Sequence, residues 1–577
     1  MTGWIIRGLL GAAVCAGPAL AQTPQQLAAQ WAQYEEVRAK TIVELQPFRL
    51  EQNARDPAAD LPLRLITLNP AVGAWYLLQV WANPNGKPDN FHIENPDPAR
   101  QQVTFDDGAR PALIIRRDGK ELRCRPWVGE LTVAGQSALP YAPICSGRLF
   151  LRNKVPGNRT NLEAASEFLR DNVWGGESIV RFFKNTFFAD SELENSEDVA
   201  ADAADTGANG PAPMLIDAAL AERPVISTQL DLGLQDGDAG KMAVGAWYSV
   251  AGARGVFASA FQPRRISKEV LEGPGRTNWL DSVERNATGY MVGFDMTQFD
   301  IGWAKGTDHP ALGWSPRPAW NVRPKGLPGP DGVNTPAPLV PLGMVNPVIA
   351  SRAVATFTAG FKRQHGAFKY GDMATFNLGH HYGFIEKGVI LSKLQPNLST
   401  FYGLTDGTIA MKTWTEADNV LLPRITFARQ NGVPLLETDP ETGAGIPGDR
   451  VIQWGGGNWS GSAEAKLRTL RAGVCMASKG GKSFLIYGYF STATPSAMAR
   501  TFQAYGCNYA MLLDMNALEH TYLAVYQRQA GKVHVGHIVP GMALIEKKLR
   551  GGTIIPRFIG FADNRDLFYL TRKEAVK

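Results

Sequence analysis

Short runs of β-branched and aromatic residues, separated by turn residues, dominate the hydrophobic pattern of this chain. In the first third, runs at 75–80 and 112–115 are bounded by Pro, Asn, Asp and Gly, which is typical of a small β-sandwich or barrel. From Gly289 onward, strands and turns alternate with few helices. The segments 290–294 and 299–303 flank a short turn, which predicts a β-hairpin. The predicted class is α+β, with a sheet-dominated C-terminal domain and a small, mostly-β N-terminal domain.

The clearest helical signal spans residues 495–505. Thr494 is placed to cap the helix, Pro follows at its first position, and Gly506 ends it. The strand-like segments 483–489 and 509–514 flank this helix, which predicts a β-α-β unit.

The pattern divides the chain into four parts. Residues 1–21 have the positive start, short apolar stretch and Ala-Leu-Ala ending of a secretory signal, and the apolar stretch is too short to span a bilayer. Residues 22–188 form the predicted N-terminal domain. Residues 189–214 are acidic, Ala-rich and free of aromatics, which predicts a flexible linker. Residues 215–577 form the main domain, and the expected location is periplasmic or secreted.

Charge and cysteine content indicate which partners, disulfides and metal sites to expect. With 59 Lys and Arg against 54 Asp and Glu, the chain is mildly basic, which does not suggest a nucleic-acid partner. The predicted mature chain has four cysteines, and three pairings are possible. We favour the local pairs Cys124–Cys145 and Cys475–Cys507, because each lies within one predicted domain. No zinc-ligand spacing is present, and we predict neither a metal nor a cofactor.

Six short motifs follow one another along the chain: Ala-Gly-Phe-Lys at 359–362, His-Gly at 365–366, Asp-Gly-Thr at 406–408, Trp414, Arg-Gln-Asn-Gly at 429–432 and Met-Leu-Leu-Asp-Met-Asn at 511–516. Together they resemble the phosphodiester glycosidase domain family, most strongly over residues 290–570. Many members carry three glycines after the Asp, whereas this chain has Met515, Asn516 and Ala517. It is similar to a branch of the family with an aliphatic residue and Asn there.

The resemblance implies cleavage of a sugar from a phosphodiester, which needs an acid, a base or nucleophile, and cations for the phosphate. Asp514 closes an apolar strand and is the catalytic carboxylate candidate; its alternative is a structural salt bridge. Arg471 precedes a predicted strand and suits a phosphate through two parallel bonds. His365 is a candidate acid or base.

Four further residues are predicted to bind the substrate: Lys362, Arg429, Asn431 and Asn516. The His380-His381 pair does not predict a metal site, because neighbouring residues of a strand point to opposite faces. The function predicted is that of an exported hydrolase acting on a glycan phosphodiester or polysaccharide. The alternative is a catalytically silent glycan-binding or scaffolding protein of the envelope. The sequence sets neither the sugar nor the oligomeric state.

Overall fold

The computed structural model describes residues 25, 40–161, 163–165, 191–200, 209–220, 222–312, 332–361, 382–452, 467–529 and 532–574. The predicted signal at 1–21 lies outside the described residues. Within the described part of the chain, no helix is long and apolar enough to cross a membrane.

Two antiparallel sheets enclose one apolar core in the N-terminal part. The N-terminal sheet has six strands in the order β1-β2-β3-β4-β9-β8, which span Leu50–Asp56, Leu61–Thr67, Trp75–Val80, Asp89–Glu94, Leu149–Arg152 and Tyr141–Ile144. A second sheet has the order β5-β6-β7, which span Gln101–Asp106, Ala112–Arg117 and Lys120–Cys124. Helix α1, Glu130–Gln136, lies between β7 and β8. The predicted disulfide Cys124–Cys145 is present, with Cα atoms 5.6 Å apart.

Three further sheets, of eight, five and five strands, build most of the rest of the molecule. The central sheet has eight strands in the order β12-β13-β14-β25-β24-β26-β22-β23, which span Tyr248–Ser249, Val256–Phe261, Gly289–Asp295, Lys482–Ala493, Thr469–Lys479, Cys507–Met515, Leu436–Thr438 and Gly445–Pro447. The second sheet has the order β15-β31-β16-β27-β28, which span Phe299–Ala304, Leu567–Arg572, Ala353–Thr358, Leu523–Gln529 and Lys532–His537. The third sheet has the order β18-β17-β21-β19-β20, which span Val389–Ser392, Phe384–Glu386, Ile425–Gln430, Ser399–Leu404 and Ile409–Thr413.

The remaining elements are short. Two small ladders pair β10 with β11 and β29 with β30, which span Val225–Ser227, Lys241–Ala243, Lys547–Lys548 and Ile554–Ile555. Helices α2, α3 and α4 span Lys268–Leu271, Pro347–Ala350 and Pro495–Ala504, and 3-10 turns span Pro263–Arg265, Glu416–Arg424 and Pro540–Ile545. The sheet-dominated α+β class is confirmed.

The β-α-β prediction is confirmed with one strand inserted. Strands β25 and β26 both run antiparallel to β24, which lies between them, so they are parallel to each other across it. Helix α4 connects them, and the Thr494 hydroxyl accepts a hydrogen bond from the Ala497 amide at 3.2 Å, as an N-cap does. The disulfide Cys475–Cys507 joins β24 to the start of β26, which confirms the second predicted pair.

The hairpin predicted from 290–294 and 299–303 is wrong. Strand β14 pairs with β13 on one edge and with β25 on the other, so neither edge is left for β15. Strand β15 instead pairs with β31 in the second sheet. All seven residues of β14 are buried, which favours an interior position in a large sheet over a two-stranded ribbon.

Both described ends of the predicted linker contact the central part of the molecule. The Tyr290 hydroxyl donates to Glu194 Oε1 at 2.6 Å. Met214 is fully buried, and its amide donates to the Gly245 carbonyl at 2.9 Å. Residues 201–208 lie outside the described residues, so a flexible linker and the domain boundaries drawn from it stay predictions.

Candidate functional site

The end of strand β26 holds a buried carboxylate. The strand forms because residues 509–513 are apolar and buried, and Asp514 follows them with 6% of its surface exposed. Asp514 Oδ1 accepts a hydrogen bond from the Met515 amide at 2.9 Å. Its Oδ2 accepts from Arg565 Nη1. A charged group at such a position is costly unless it is paired, and here the pairing is provided by Arg565.

Arg565 lies between two buried carboxylates. Its Nε and Nη2 lie 2.9 and 2.7 Å from Glu163 Oε1, while Nη1 binds Asp514. One positive charge between two negative charges leaves the group anionic. Burial acts to lower the pKa of Arg565, but the charges of Glu163 and Asp514 outweigh burial and raise it above its ordinary value.

Glu163 reaches this site from the N-terminal part of the chain. Ahead of it, the Asn158 amide donates to the Ala562 carbonyl at 2.9 Å, and the Asn564 amide donates to the Asn158 carbonyl at 3.0 Å. These two backbone hydrogen bonds hold Asn158 against the residues that lead into β31. The site therefore combines a residue from the N-terminal part with residues from the central and second sheets.

His520 contacts the guanidinium of Arg565. Its Nδ1 lies 2.8 Å from the Met515 carbonyl oxygen, and its Nε2 lies 2.7 Å from Arg565 Nη2. A carbonyl only accepts and a guanidinium only donates, so these two contacts fit the tautomer with the proton on Nδ1. The same Nε2 lies 4.0 Å from Glu519 Oε1.

Asn516 forms the turn that follows Met515. Its φ of 77° lies in the left-handed region, which Asn tolerates better than most residues. Its amide donates to the Leu470 carbonyl at 2.9 Å, and its Oδ1 accepts from Thr469 Oγ1 at 2.9 Å. Asn516 is exposed at the surface beside Asp514, so the two predicted residues share this end of the sheet.

Asn431 and Arg429 position the chain at Phe361. Asn431 Oδ1 accepts from the Phe361 amide at 3.0 Å, and its Nδ2 donates to the Leu512 carbonyl at 2.7 Å. Arg429 Nη2 donates to the Phe361 carbonyl at 2.7 Å, and its Nε binds Asp566 Oδ2 at 2.7 Å. Both side chains are fully buried. These bonds connect the third sheet to β26 immediately before Asp514.

The Ala-Gly-Phe motif has a steric explanation here. A Cβ atom at Gly360 would lie 2.9 Å from Asn431 Cγ and 3.1 Å from Arg429 Nη2. Only glycine allows the two side chains to reach the neighbouring backbone. Lys362 and His365, which follow the motif, lie outside the described residues, so their predicted roles stay predictions.

Arg471 and Asp514 form different bonds. Arg471 is opposite Met515 next to a β-bulge in the β24–β26 register and contacts the Met515 sulfur at 3.2 Å. Its Nε and Nη2 donate to the Ala493 and Leu467 carbonyls at 2.9 and 3.0 Å. None of these three bonds connects Arg471 to Asp514, the other side chain that the sequence analysis assigned to the site.

The electrostatics of Arg471 are unusual. Burial lowers the pKa of its guanidinium to about 9, against the opposing effect of the Glu284 charge. Among the described residues, no carboxylate forms an ion pair with it. Arg471 therefore remains a buried cation at neutral pH, held by carbonyl groups.

Lys305 and Glu386 form a second group of buried ionisable side chains. Lys305 Nζ donates to the Gly306 carbonyl at 2.9 Å, and its amide donates to Glu386 Oε2 at 3.0 Å. Burial lowers the pKa of Lys305 to about 8, partly offset by Glu386 and Asp566. Burial also raises the pKa of Glu386 to about 7, partly offset by Arg152. Both groups therefore titrate near neutral pH.

Sequence reasoning did not select Glu163, Arg565 or His520. Glu163 carries no motif and lies 402 positions from Arg565, so no local pattern connects the two. Arg565 opens the Arg-Asp-Leu-Phe-Tyr run at the end of the family resemblance, and that run was the available signal.

One group of metal-ligand residue types and one cavity of the described part of the chain lie apart from this site. Within the described part of the chain, one group of metal-ligand types is Cys124, Glu130 and Cys145, and its two sulfurs form a disulfide. A cavity of about 610 Å³ is lined by residues of 40–47, 390–394 and 419–422, and it shares no residue with the site.

Comparison with known proteins gives only distant likenesses. No protein-family model and no curated protein matches the chain. Among solved structures, the catalytic domain of zebrafish N-acetylglucosamine-1-phosphodiester alpha-N-acetylglucosaminidase, auto-inhibited by its pro-peptide, aligns at 10% identity and a TM-score of 0.28, covering 56% of this chain and 87% of its own. A protein from Burkholderia pseudomallei named as an exported protein aligns at 8% identity and a TM-score of 0.21, covering 49% of this chain and 74% of its own. At these TM-scores neither likeness supports an argument about function, so the proposals below rest on geometry.

Proposed function

We propose that this protein is an exported hydrolase that cleaves a sugar-phosphodiester or related glycosidic bond in envelope or extracellular polysaccharide. The observation that carries the proposal is the buried group of Asp514, Glu163, Arg565 and His520 at the end of β26. Burying charged groups is costly, and clusters of such groups are concentrated at functional sites.

In the proposed reaction, water adds across the bond between the sugar C1 and the phosphate oxygen. The hydroxyl goes to C1 and the proton goes to the phosphate, which leaves as a monoester. The ion pair with Arg565 favours the carboxylate form of Asp514, which can accept a proton from water or attack C1 directly.

The other predicted residues take supporting roles in this proposal. Lys362 would bind the phosphate, and His365 would serve as an acid or base. Arg471, predicted from the sequence as a phosphate ligand, is buried and donates to the Ala493 and Leu467 carbonyls, so the proposal gives it no contact with the substrate. Arg429 and Asn431 would act on the substrate through the backbone that they position at Phe361. Asn516 is exposed beside Asp514 and would contact the sugar.

Export is the expected setting for this reaction. Two disulfides join neighbouring elements of the fold, and disulfides persist mainly in oxidising compartments. A periplasmic or secreted location is therefore part of the proposal.

The alternative is a glycan-binding or scaffolding protein of the envelope. The burial of Arg471 and its bonds to the Ala493 and Leu467 carbonyls favour it, because a phosphate at Asp514 then lacks that cation. The Met-Asn-Ala sequence after Asp514 also removes the glycines that allow close backbone approach to a ligand.

Hydrolysis and binding can be measured on the same preparations. Purified protein is incubated with synthetic sugar-1-phosphodiesters and with envelope polysaccharide, and released sugar and phosphate monoester are quantified for wild type and Asp514→Asn. The hydrolase proposal expects release by wild type and loss in the variant. Absence of release from every substrate, with equal glycan binding by both proteins, would establish the scaffold alternative.

A further inference from the structure

Trp279 is the most exposed large apolar side chain in the described part of the chain, with 84% of its surface accessible. It lies in the segment 273–284, between helix α2 and strand β14. An indole is large and mostly apolar, and leaving it in water forgoes the stabilisation that burial provides. A ligand that covers the indole ring would gain this stabilisation on binding.

Hydrogen bonds from Arg500 fix the loop that carries Trp279. Arg500 of helix α4 is buried and donates to the carbonyls of Gly273, Pro274 and Gly275 at 3.0, 2.9 and 2.9 Å. It also donates to Thr277 Oγ1 at 3.0 Å. One guanidinium therefore fixes the backbone over five residues that lead up to the indole.

Two further contacts secure the loop on either side of the ring. The Asn278 amide donates to Ser496 Oγ at 2.9 Å, and Asp281 Oδ2 accepts from Arg468 Nη1 at 2.8 Å. A rigid backbone lowers the entropy cost of presenting an aromatic side chain to a ligand. The exposure of Trp279 is thus a property of an ordered loop.

The same contacts place the loop beside the candidate site. Arg468, which pairs with Asp281, immediately precedes Thr469, and Thr469 binds Asn516 Oδ1. Asn516 lies two positions beyond Asp514. A chain of direct contacts therefore runs from the Trp279 loop to the end of β26.

We propose that Trp279 is a stacking platform for a sugar ring of a glycan chain that extends from the site at Asp514. The inference rests on the proposed function, which it deepens by assigning a polymeric substrate. The C–H face of a pyranose is apolar and packs on an indole, while hydroxyls at its rim need polar neighbours. Arg276, Asn278 and Asp281 are polar residues within three positions of Trp279 in the same loop. A single ring with polar neighbours fits a sugar better than the aromatic-rich, charge-poor core of a protein interface.

The test compares Trp279→Ala and Trp279→Phe with wild type. The matched control is Leu544→Ala, since Leu544 is 81% exposed in another part of the chain. The dissociation constant for a phosphomannan and for purified envelope polysaccharide is measured by affinity electrophoresis and calorimetry. KM and kcat are measured for the same polymers and for a small sugar-1-phosphodiester.

We expect Trp279→Ala to weaken polymer binding about tenfold, the size of a lost aromatic stacking contact. Trp279→Phe should retain most of the affinity, and Leu544→Ala should bind as wild type does. The KM of Trp279→Ala should rise more for polymers than for the small diester. Equal polymer affinity in wild type and Trp279→Ala, or wild type that binds none of the polymers, would overturn the inference.

The outcomes also separate this inference from the proposed function. Polymer binding that depends on Trp279, without hydrolysis of any substrate, would remove the hydrolase and keep the platform. Hydrolysis of the small diester, with polymer binding unaffected by Trp279→Ala, would keep the hydrolase and remove the platform.

Discussion

Replacing Asp514 with Asn tests whether the buried carboxylate acts on a ligand or only on the fold. The substitution preserves shape and removes the charge that faces Arg565. Without a buried cation, we would expect little change in stability. The structure provides that cation, so stability falls as well, and the two effects must be measured separately.

The magnitude follows from how Arg565 is paired. Removing one partner of an isolated buried ion pair costs about 3–5 kcal/mol, because the other charge is left uncompensated. Arg565 keeps Glu163 at 2.7 Å, so the loss is closer to that of one hydrogen bond to a charged group, about 1.5–3 kcal/mol. Activity should fall by a factor on the order of 10²–10⁴ if Asp514 is a general base or acid.

Replacing Glu94, which pairs with the buried Arg152, is a matched control for Asp514→Asn. Arg152 also lies between two buried carboxylates: it binds Glu94 and has Nη2 3.6 Å from Glu386 Oε1. Glu94→Gln therefore makes the same chemical change in the same kind of ion pair, away from Asp514. We expect a similar loss of stability and little loss of kcat.

The assay combines denaturant unfolding with hydrolysis of a sugar-1-phosphodiester. Rates are measured under conditions in which both variants remain folded, as judged from their unfolding curves. Equal losses of kcat in Asp514→Asn and Glu94→Gln would refute the assignment of Asp514 to catalysis. A large loss in Asp514→Asn alone would support it.

Three further predictions concern the fold. Burial holds the pKa of Glu386 in the folded chain at about 7, above its unfolded value of 4.5. The folded chain therefore binds this proton more tightly than the unfolded chain, which stabilises it at low pH by on the order of 3 kcal/mol. This contribution to the free energy of unfolding is lost as pH rises from 4.5 to 7. Urea unfolding across that range should show the decline in wild type and a smaller one in Glu386→Gln; parallel curves would contradict it. Mass spectrometry of the oxidised protein should link Cys475 to Cys507, and replacing both with Ala should cost about 2–5 kcal/mol, whereas free thiols at both positions would remove the pair. Limited proteolysis should cut first within 189–214, and resistance throughout that segment would show that it is packed.

The position of Asp514 could be predicted from sequence because the signal is local. An apolar run, a capped helix and a following apolar run predicted β25, α4 and β26, and the carboxylate at the end of β26 followed from them. The partners of Asp514 could not be predicted in the same way. Arg565 binds both Asp514 and Glu163 because the residues that lead into β31 and those around Glu163 are brought to the same end of the sheet.

Arg471 and the hairpin show the limit of local reasoning. The sequence placed Arg471 near Asp514 along neighbouring strands, and the strands are indeed neighbours. The partners of a side chain depend on packing, and Arg471, next to a β-bulge in this register, donates to the Ala493 and Leu467 carbonyls. Likewise, both segments of the predicted hairpin are strands, but their pairing partners lie in different sheets.

The sequence by itself determined the fold class, the capped helix α4, the local disulfide pairs and the carboxylate at the end of β26. Each depends on periodicity, capping or proximity along the chain, and these are read over a few tens of residues. Only the tertiary structure decided which charges meet in the interior, and that Arg565 binds Asp514, Glu163 and His520 while Arg471 binds the Ala493 and Leu467 carbonyls. The reason is that pairing between distant strands, and the burial it creates, depends on how the whole set of sheets packs.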